Sequence, residues 1–286
     1  MILLTGAAGK TGRAVLRALV ERGQEVSVLV RNYKQVEELL AAGAVDAIAG
    51  DMEDAGVYEK ALRGVKSLYH ICPNMHTEEL KIGCSVIEAA TRNKLEHFVY
   101  HSVLHPQTEK MPHHWQKMRV EEMIFESGLE FTILQPAPYM QNILASRDAI
   151  YNESTFKVPY PVAAKLSLVD LEDLARAAAT VLLEPGHKGA TYEIVGTEGL
   201  SQVAVAGQLS EVIGREIIAE EEPLDSWRKS AQESGMGSYQ MESLVKMFTY
   251  YSRYGLVGNS NILSWLLKEK PNSLYSFIKR DIAGET

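Results

Sequence analysis

Met1-Ile2-Leu3-Leu4-Thr5-Gly6-Ala7-Ala8-Gly9-Lys10-Thr11-Gly12 runs from an apolar stretch into a Gly6-x-x-Gly9-x-x-Gly12 turn. Arg13-Ala14-Val15-Leu16-Arg17-Ala18-Leu19-Val20 follows with apolar residues at helical spacing. Strand, glycine turn and helix in that order make a pyrophosphate cradle. The first glycine permits a sharp turn, the second lets backbone approach a phosphate, and the third lets helix pack on strand. The unpaired N–H groups that open the helix then face the anion. A helix cap with incidental glycines is the competing reading, and the flanking strand and helix patterns disfavour it. Gly9-Lys10-Thr11 imitates the end of a nucleoside-triphosphate loop, but Leu4 stands where that loop needs its first glycine.

The alternation continues outward. Strands are expected at 25–30, 44–49, 67–71, 97–101 and 131–134, the last ending before Pro136, with helices near 36–40, 57–62, 78–92 and 115–126 between them. Short strands alternating with longer helices imply a Rossmann-type α/β fold, a doubly wound parallel sheet. We expect residues 1–150 to form an NAD(P)-binding domain and residues 151–286 a smaller, mainly helical substrate-side lobe. A strand near 190–196 returns to the sheet. Pro159 and Pro161 mark an irregular segment, a helix is expected at 171–183, and the tyrosine- and methionine-rich span 239–254 reads as part of a lobe over the cofactor cleft. Plain core is the alternative for that span.

The 286 residues are 46% hydrophobic and carry a net charge of -8, enough apolar content for a full core and no broad footprint for a polyanion. Direct nucleic-acid binding is therefore not expected. Two cysteines, Cys72 and Cys84, do not make a disulfide framework and suit a reducing compartment. A strand starting at residue 2 leaves no room for a leader, and no apolar run approaches a membrane span, so the expectation is a cytoplasmic protein.

Ligands on such sheets bind at the carboxyl ends of the strands. Arg31 ends the second strand, where a cation would meet the 2′-phosphate of NADP and an acid the 2′-hydroxyl of NAD, so NADPH is favoured over NADH. A solvated arginine is the plain alternative. Lys10 and Thr11 lie in the same turn, with Ala8 between the glycines. Asp51, followed by Met52, is placed either to accept from the adenine amino group or to cap the next helix. Ile71-Cys72-Pro73 ends the fourth strand beside the expected ribose path, Cys72 being read as inert packing. His101, His105, His113 and His114 lack the spacing of a metal site.

These residues resemble the NmrA-like branch of the atypical short-chain dehydrogenases/reductases. The resemblance is carried by residues 5–12, Val30-Arg31-Asn32, Phe98-Val99-Tyr100-His101-Ser102, residues 127–136 ending in Gln135-Pro136, residues 169–175 and Tyr192-Glu193-Ile194-Val195-Gly196. It implies NADPH-dependent reduction of a small quinone, dye or carbonyl acceptor, or else a non-catalytic NADP(H)-binding redox sensor that works through a protein partner. A homodimer stays open. In the wider superfamily a tyrosine four residues before a lysine supplies the proton. Here Lys117 stands where that lysine would, to hold the nicotinamide ribose, but the position four before it is His113, read as a loop histidine. Tyr275 and Lys279 reproduce the spacing in the last helix, by coincidence. Pro136 and Tyr139, after the sixth strand, are expected beside the nicotinamide, and Ser102 near its carboxamide or a substrate oxygen.

Overall fold

The computed structural model describes residues 1–284. Its first half alternates strictly: β1 (Ile2–Thr5), α1 (Lys10–Glu21), β2 (Val26–Val30), α2 (Lys34–Ala41), β3 (Asp46–Ala49), α3 (Ala55–Ala61), β4 (Ser67–His70), α4 (Glu79–Arg92), β5 (His97–His101), α5 (Pro112–Glu126) and β6 (Phe131–Pro136). A 3-10 turn (Met140–Ser146), α6 (Arg147–Asn152), β7 (Thr155–Val158), β8 (Lys165–Leu166), α7 (Leu171–Leu183), β9 (Ala190–Ile194) and β10 (Leu200–Ser201) follow. The chain ends with α8 (Gln202–Ile213), β11 (Ile218–Glu221), α9 (Leu224–Glu233), α10 (Ser238–Tyr254), α11 (Asn261–Leu267), α12 (Leu274–Phe277) and a π-helical turn (Ile278–Ala283).

The described residues form two compact units that interleave in sequence: residues 1–108, 113–135 and 174–192, and residues 109–112, 136–173 and 193–284. The first unit carries the sheet, ordered β3-β2-β1-β4-β5-β6 with β9 at the edge. Each neighbouring pair from β3 to β6 is parallel. This is the Rossmann-type doubly wound sheet expected from the sequence, and the strand order reverses at β1/β4, the place where such sheets bind ligands. Every residue of β1, β2 and β5 is buried, which is why these strands read as near-continuous apolar runs rather than alternating ones. Tyr58, Leu68, Val86, Phe98, Tyr100, Val120 and Ile133 belong to one core cluster of this unit.

Several boundaries differ from the sequence expectation. β3 begins at Asp46, because the Ala44 N–H still closes the end of α2 on Leu39 O (3.0 Å). β6 runs on through Pro136; its pairing with β5 ends at Leu134, so a missing N–H at 136 breaks no bond of that ladder. α5 starts at Pro112, a first-turn position where the absent N–H costs nothing. His113 therefore lies in a helix, not in a loop. β9 ends at Ile194 rather than at 196.

In the second unit, β7 pairs in parallel with β11, and β8 antiparallel with β10. The periodicity gave no sign of the β7–β11 pair, whose partners are more than sixty residues apart. Within α10, half-buried Phe248 and buried Tyr251 pack around buried Tyr160, and Phe248 also meets half-buried Trp227 edge-on at 4.9 Å, an aromatic cluster inside the unit. Fully buried Asp170 pairs with Arg280 (3.0 Å) and accepts from Asn272 Nδ2 (3.0 Å), fastening the last turn to the start of α7. Lys279 Nζ lies over the Tyr275 ring, 5.4 Å from its centroid, inside this same unit. Among the described residues, no helix is long and apolar enough to cross a membrane.

Candidate dinucleotide site and its buried polar layer

The glycine turn is shaped by what leaves no room for side chains. Gly6 has φ +64°, and a Cβ there would stand 2.9 Å from Ile71 Cβ and 3.0 Å from Ile71 O. Thr5 fixes that approach: its Oγ1 accepts from Ile71 N (2.9 Å), lies 3.1 Å from Ile71 O and 2.9 Å from His70 Nδ1. A Cβ on Gly12 would sit 2.3 Å from Gly6 O, so α1 can abut the turn only with glycine at that position. Gly9 caps α1 without a side-chain hydrogen bond, and the first turn contains no acid. The N–H groups of Lys10, Thr11 and Gly12 thus head a helix with no side-chain cap and no acid in its first turn, a fitting seat for a diphosphate. Ala8 O is held by Arg13 Nε (2.9 Å).

Arg31 directly follows β2; its side chain is 79% exposed and forms a 3.7 Å ion pair with Asp51. An exposed pair of that length contributes about 0–1 kcal/mol and yields readily to a phosphate dianion. The other Asp51 oxygen accepts from Glu53 N (3.1 Å), while Asp54, not Asp51, caps α3 by accepting from Gly56 N (2.9 Å). Met52 is half-buried in the same turn. Beyond β4, Ile71 and Pro73 are half-buried and Cys72 is buried. Burial pushes the Cys72 thiol up, as expected of an inert packing cysteine.

A layer of polar side chains lies buried at the carboxyl ends of β4 and β5. Lys117, on α5, donates to Glu79 Oε1 (2.6 Å) and His101 O (3.2 Å), with its ammonium over the Tyr100 ring. Tyr100 OH also donates to Glu79 Oε1 (3.3 Å), and His113 Nδ1 lies 3.7 Å from Glu79 Oε2. Gly83 and Val120 bring the helices together: a Cβ on Gly83 would meet Val120 Cγ2 at 2.8 Å. One turn before Gly83 on α4 stands Glu79; one turn before Val120 on α5 stands Lys117, so the close approach also closes the ion pair. Burial alone would raise the Glu79 carboxyl, but the Lys117 ammonium and then His113 outweigh it and hold it low. Burial lowers the His113 imidazole against the pull of Glu79.

Ser102 is buried and commits its hydroxyl proton to Glu121, which Gln135 Nε2 also holds at 3.1 and 3.0 Å. Ser102 can therefore meet a ligand only as an acceptor. Tyr69 OH and His101 Nδ1 are 2.8 Å apart. His114 lies 3.3 Å from His105 O through Nδ1. Among the described residues, no group of three or more His, Cys, Asp or Glu is placed to hold a metal. Pro136, buried, and Tyr139, half-buried and bridged to Val169, belong to the second unit, whereas the other candidate cofactor residues belong to the first.

The first-unit residues expected at the cofactor thus lie on the glycine turn and after the carboxyl ends of β2, β3, β4 and β5, with Lys117 on α5. Glu79 and Glu121 were not foreseen. An acid in a helix first turn reads as an ordinary dipole complement, and one inside α5 as a solvated face; only burial separates them from that background.

The family model of the NmrA-like family matches residues 1–283. The chain belongs to that family. An NAD(P)H azoreductase of Xenophilus azovorans is 31% identical over 219 residues, 76% of this chain and 75% of that one. Quinone oxidoreductase 2 of Escherichia coli is 26% identical over 276 residues, 96% of each chain. The crystal structure of the NADPH-dependent quinone oxidoreductase of Escherichia coli complexed with NADPH superposes with a TM-score of 0.87 at 26% identity, covering 98% of this chain and 99% of that one.

Proposed function

We propose that this NmrA-like protein is an NADPH-dependent reductase that passes a hydride to a quinone, dye or small carbonyl acceptor. At the coarser level it is an NAD(P)H-dependent oxidoreductase of small organic molecules. The observation that carries the reading is the uncapped, acid-free N-terminus of α1 behind a turn with no space for a Cβ at Gly6 or Gly12. The relatives named for azo and quinone reduction support the acceptor class.

When bound, NADPH supplies the hydride. The chain's own residues bind and orient it: amides of the glycine turn face the diphosphate, Arg31 the 2′-phosphate and Lys117 the nicotinamide ribose. Two of the three Lys117 donors go to Glu79 and His101 O, which leaves one for a ribose hydroxyl. The chain has histidine where the wider superfamily has its proton-donating tyrosine, and burial disfavours the protonated form of that ring, which is the one that could give up a proton. The proton then comes from solvent, a route suited to quinones and dyes whose reduced forms are readily protonated in water.

The test is NADPH oxidation, followed at its absorbance, on a panel of quinones, azo and triphenylmethane dyes and aldehydes. Turnover is expected with quinones or dyes ahead of aldehydes. Tight NADPH binding with no turnover on any of them would replace this reading with that of a redox sensor. Cofactor choice has its own check. Arg31→Asp is expected to weaken NADPH by about 1.5–3 kcal/mol, the range for a hydrogen bond to a charged group, while NADH changes little. Equal loss for both coenzymes, measured by calorimetry, would remove Arg31 from the 2′-phosphate.

A further inference from the structure

Glu79 is 1% exposed and, among the described residues, one of its carboxylate oxygens, Oε2, has no hydrogen-bond partner; neither has His113 Nδ1, 3.7 Å away. A buried carboxylate held this way is costly unless something requires it, since an apolar pair of similar shape would pack as well as the Glu79–Lys117 pair or better. The geometry suggests the requirement. Glu79 comes from the first turn of α4 and reaches across to α5, where Lys117 and His113 lie one helical turn apart on the same face. Its Oε1 takes the Lys117 ammonium and the Tyr100 hydroxyl, and its Oε2 turns toward His113. Lysine is a flexible point charge on a four-carbon stem, so without a fixed partner its ammonium would not point one way.

We propose that Glu79 is a positioning residue for the nicotinamide end of the site: its carboxylate fixes the Lys117 ammonium and aims the third N–H at the nicotinamide-ribose hydroxyls. The inference rests on the assignment of Lys117 to that ribose. It adds that the direction of the lysine is set from α4, by a residue that itself touches no cofactor. It also accounts for a chain that dispenses with the tyrosine, because the lysine then needs another group to hold it.

The experiment measures binding of two ligands by calorimetry: NADPH, which has the nicotinamide ribose, and adenosine 2′,5′-bisphosphate, which lacks it. Glu79→Gln keeps the shape and one acceptor oxygen but removes the charge. It is expected to weaken NADPH about tenfold or more and to leave the bisphosphate within about twofold. Glu79→Asp, charged but one methylene shorter, is expected to recover part of the loss. Unchanged NADPH affinity in Glu79→Gln, or equal loss for both ligands, overturns the proposal.

The double variant Glu79→Leu/Lys117→Met replaces the pair with apolar groups and guards against a folding defect caused by one uncompensated charge. It is expected to fold, to keep the bisphosphate and to lose NADPH affinity by at least as much as Glu79→Gln. If it instead binds NADPH like the parent, the assignment of Lys117 fails. If it loses NADPH affinity while Glu79→Gln does not, Lys117 stands and only the role of Glu79 falls.

Discussion

Gly12→Ala is expected to abolish measurable NADPH binding and to lower stability by about 1–3 kcal/mol, the range for overpacking a well-filled site. The new Cβ would lie 2.3 Å from Gly6 O and 2.6 Å from Ala7 Cα, both backbone atoms that no rotamer change can move. Either α1 withdraws or the turn opens, and both displace the N–H groups that face the diphosphate. Gly9→Ala is the control, since its Cβ would meet nothing nearer than Gly6 O at 3.4 Å. That variant is expected to melt like the parent, so any loss of NADPH affinity it shows reports the approach of the phosphate itself. Calorimetric titration and thermal melts of both variants check the pair; wild-type-like binding by Gly12→Ala would mean that the opening turn is not the diphosphate seat.

Unfolding free energy is expected to fall by several kcal/mol between pH 7.5 and pH 5. Burial lowers the imidazoles of His70, His101 and His114 to about 3 and that of His97 to about 4, so all four are neutral in the fold. In the unfolded chain the same rings titrate at about 6.5. Between those values the unfolded state binds more protons, so the stabilising contribution is fully present above about 6.5 and drains away as pH falls. By pH 5 each ring accounts for up to roughly 2 kcal/mol. Glu79, held below its ordinary value, weakens the fold further only at lower pH, whereas Glu121, raised by burial, acts in the opposite sense. Urea denaturation at pH 7.5, 6 and 5 measures the slope. His114→Gln should reduce it by about one proton; a flat profile across this range would show that these rings are not buried neutral.

Much of this fold was legible because its signals are local. β1, β2 and β5 are fully buried and so read as apolar runs, whereas the start of α5 at Pro112 was placed three residues late, at 115, although proline is at home in a first helical turn. β7 was not legible, because Thr155–Val158 is a strand only by virtue of Ile218–Glu221 beside it. The site divides along the same line. The glycine turn and Arg31 could be placed from spacing, but the cap of α3, which the sequence offered to Asp51, went to Asp54, because only its oxygen meets Gly56 N.

By itself the sequence determined a doubly wound α/β fold with an anion-binding turn after its first strand, because the period of apolar residues and the spacing of Gly6, Gly9 and Gly12 are properties of neighbouring positions. Tertiary structure alone decided that Lys117 is buried against Glu79, thirty-eight residues away, and that Ser102 spends its proton on Glu121. The first pairing arises from how closely α4 and α5 approach at Gly83, both from the loss of water around the polar groups brought together, and neither leaves a mark on the order of residues along the chain.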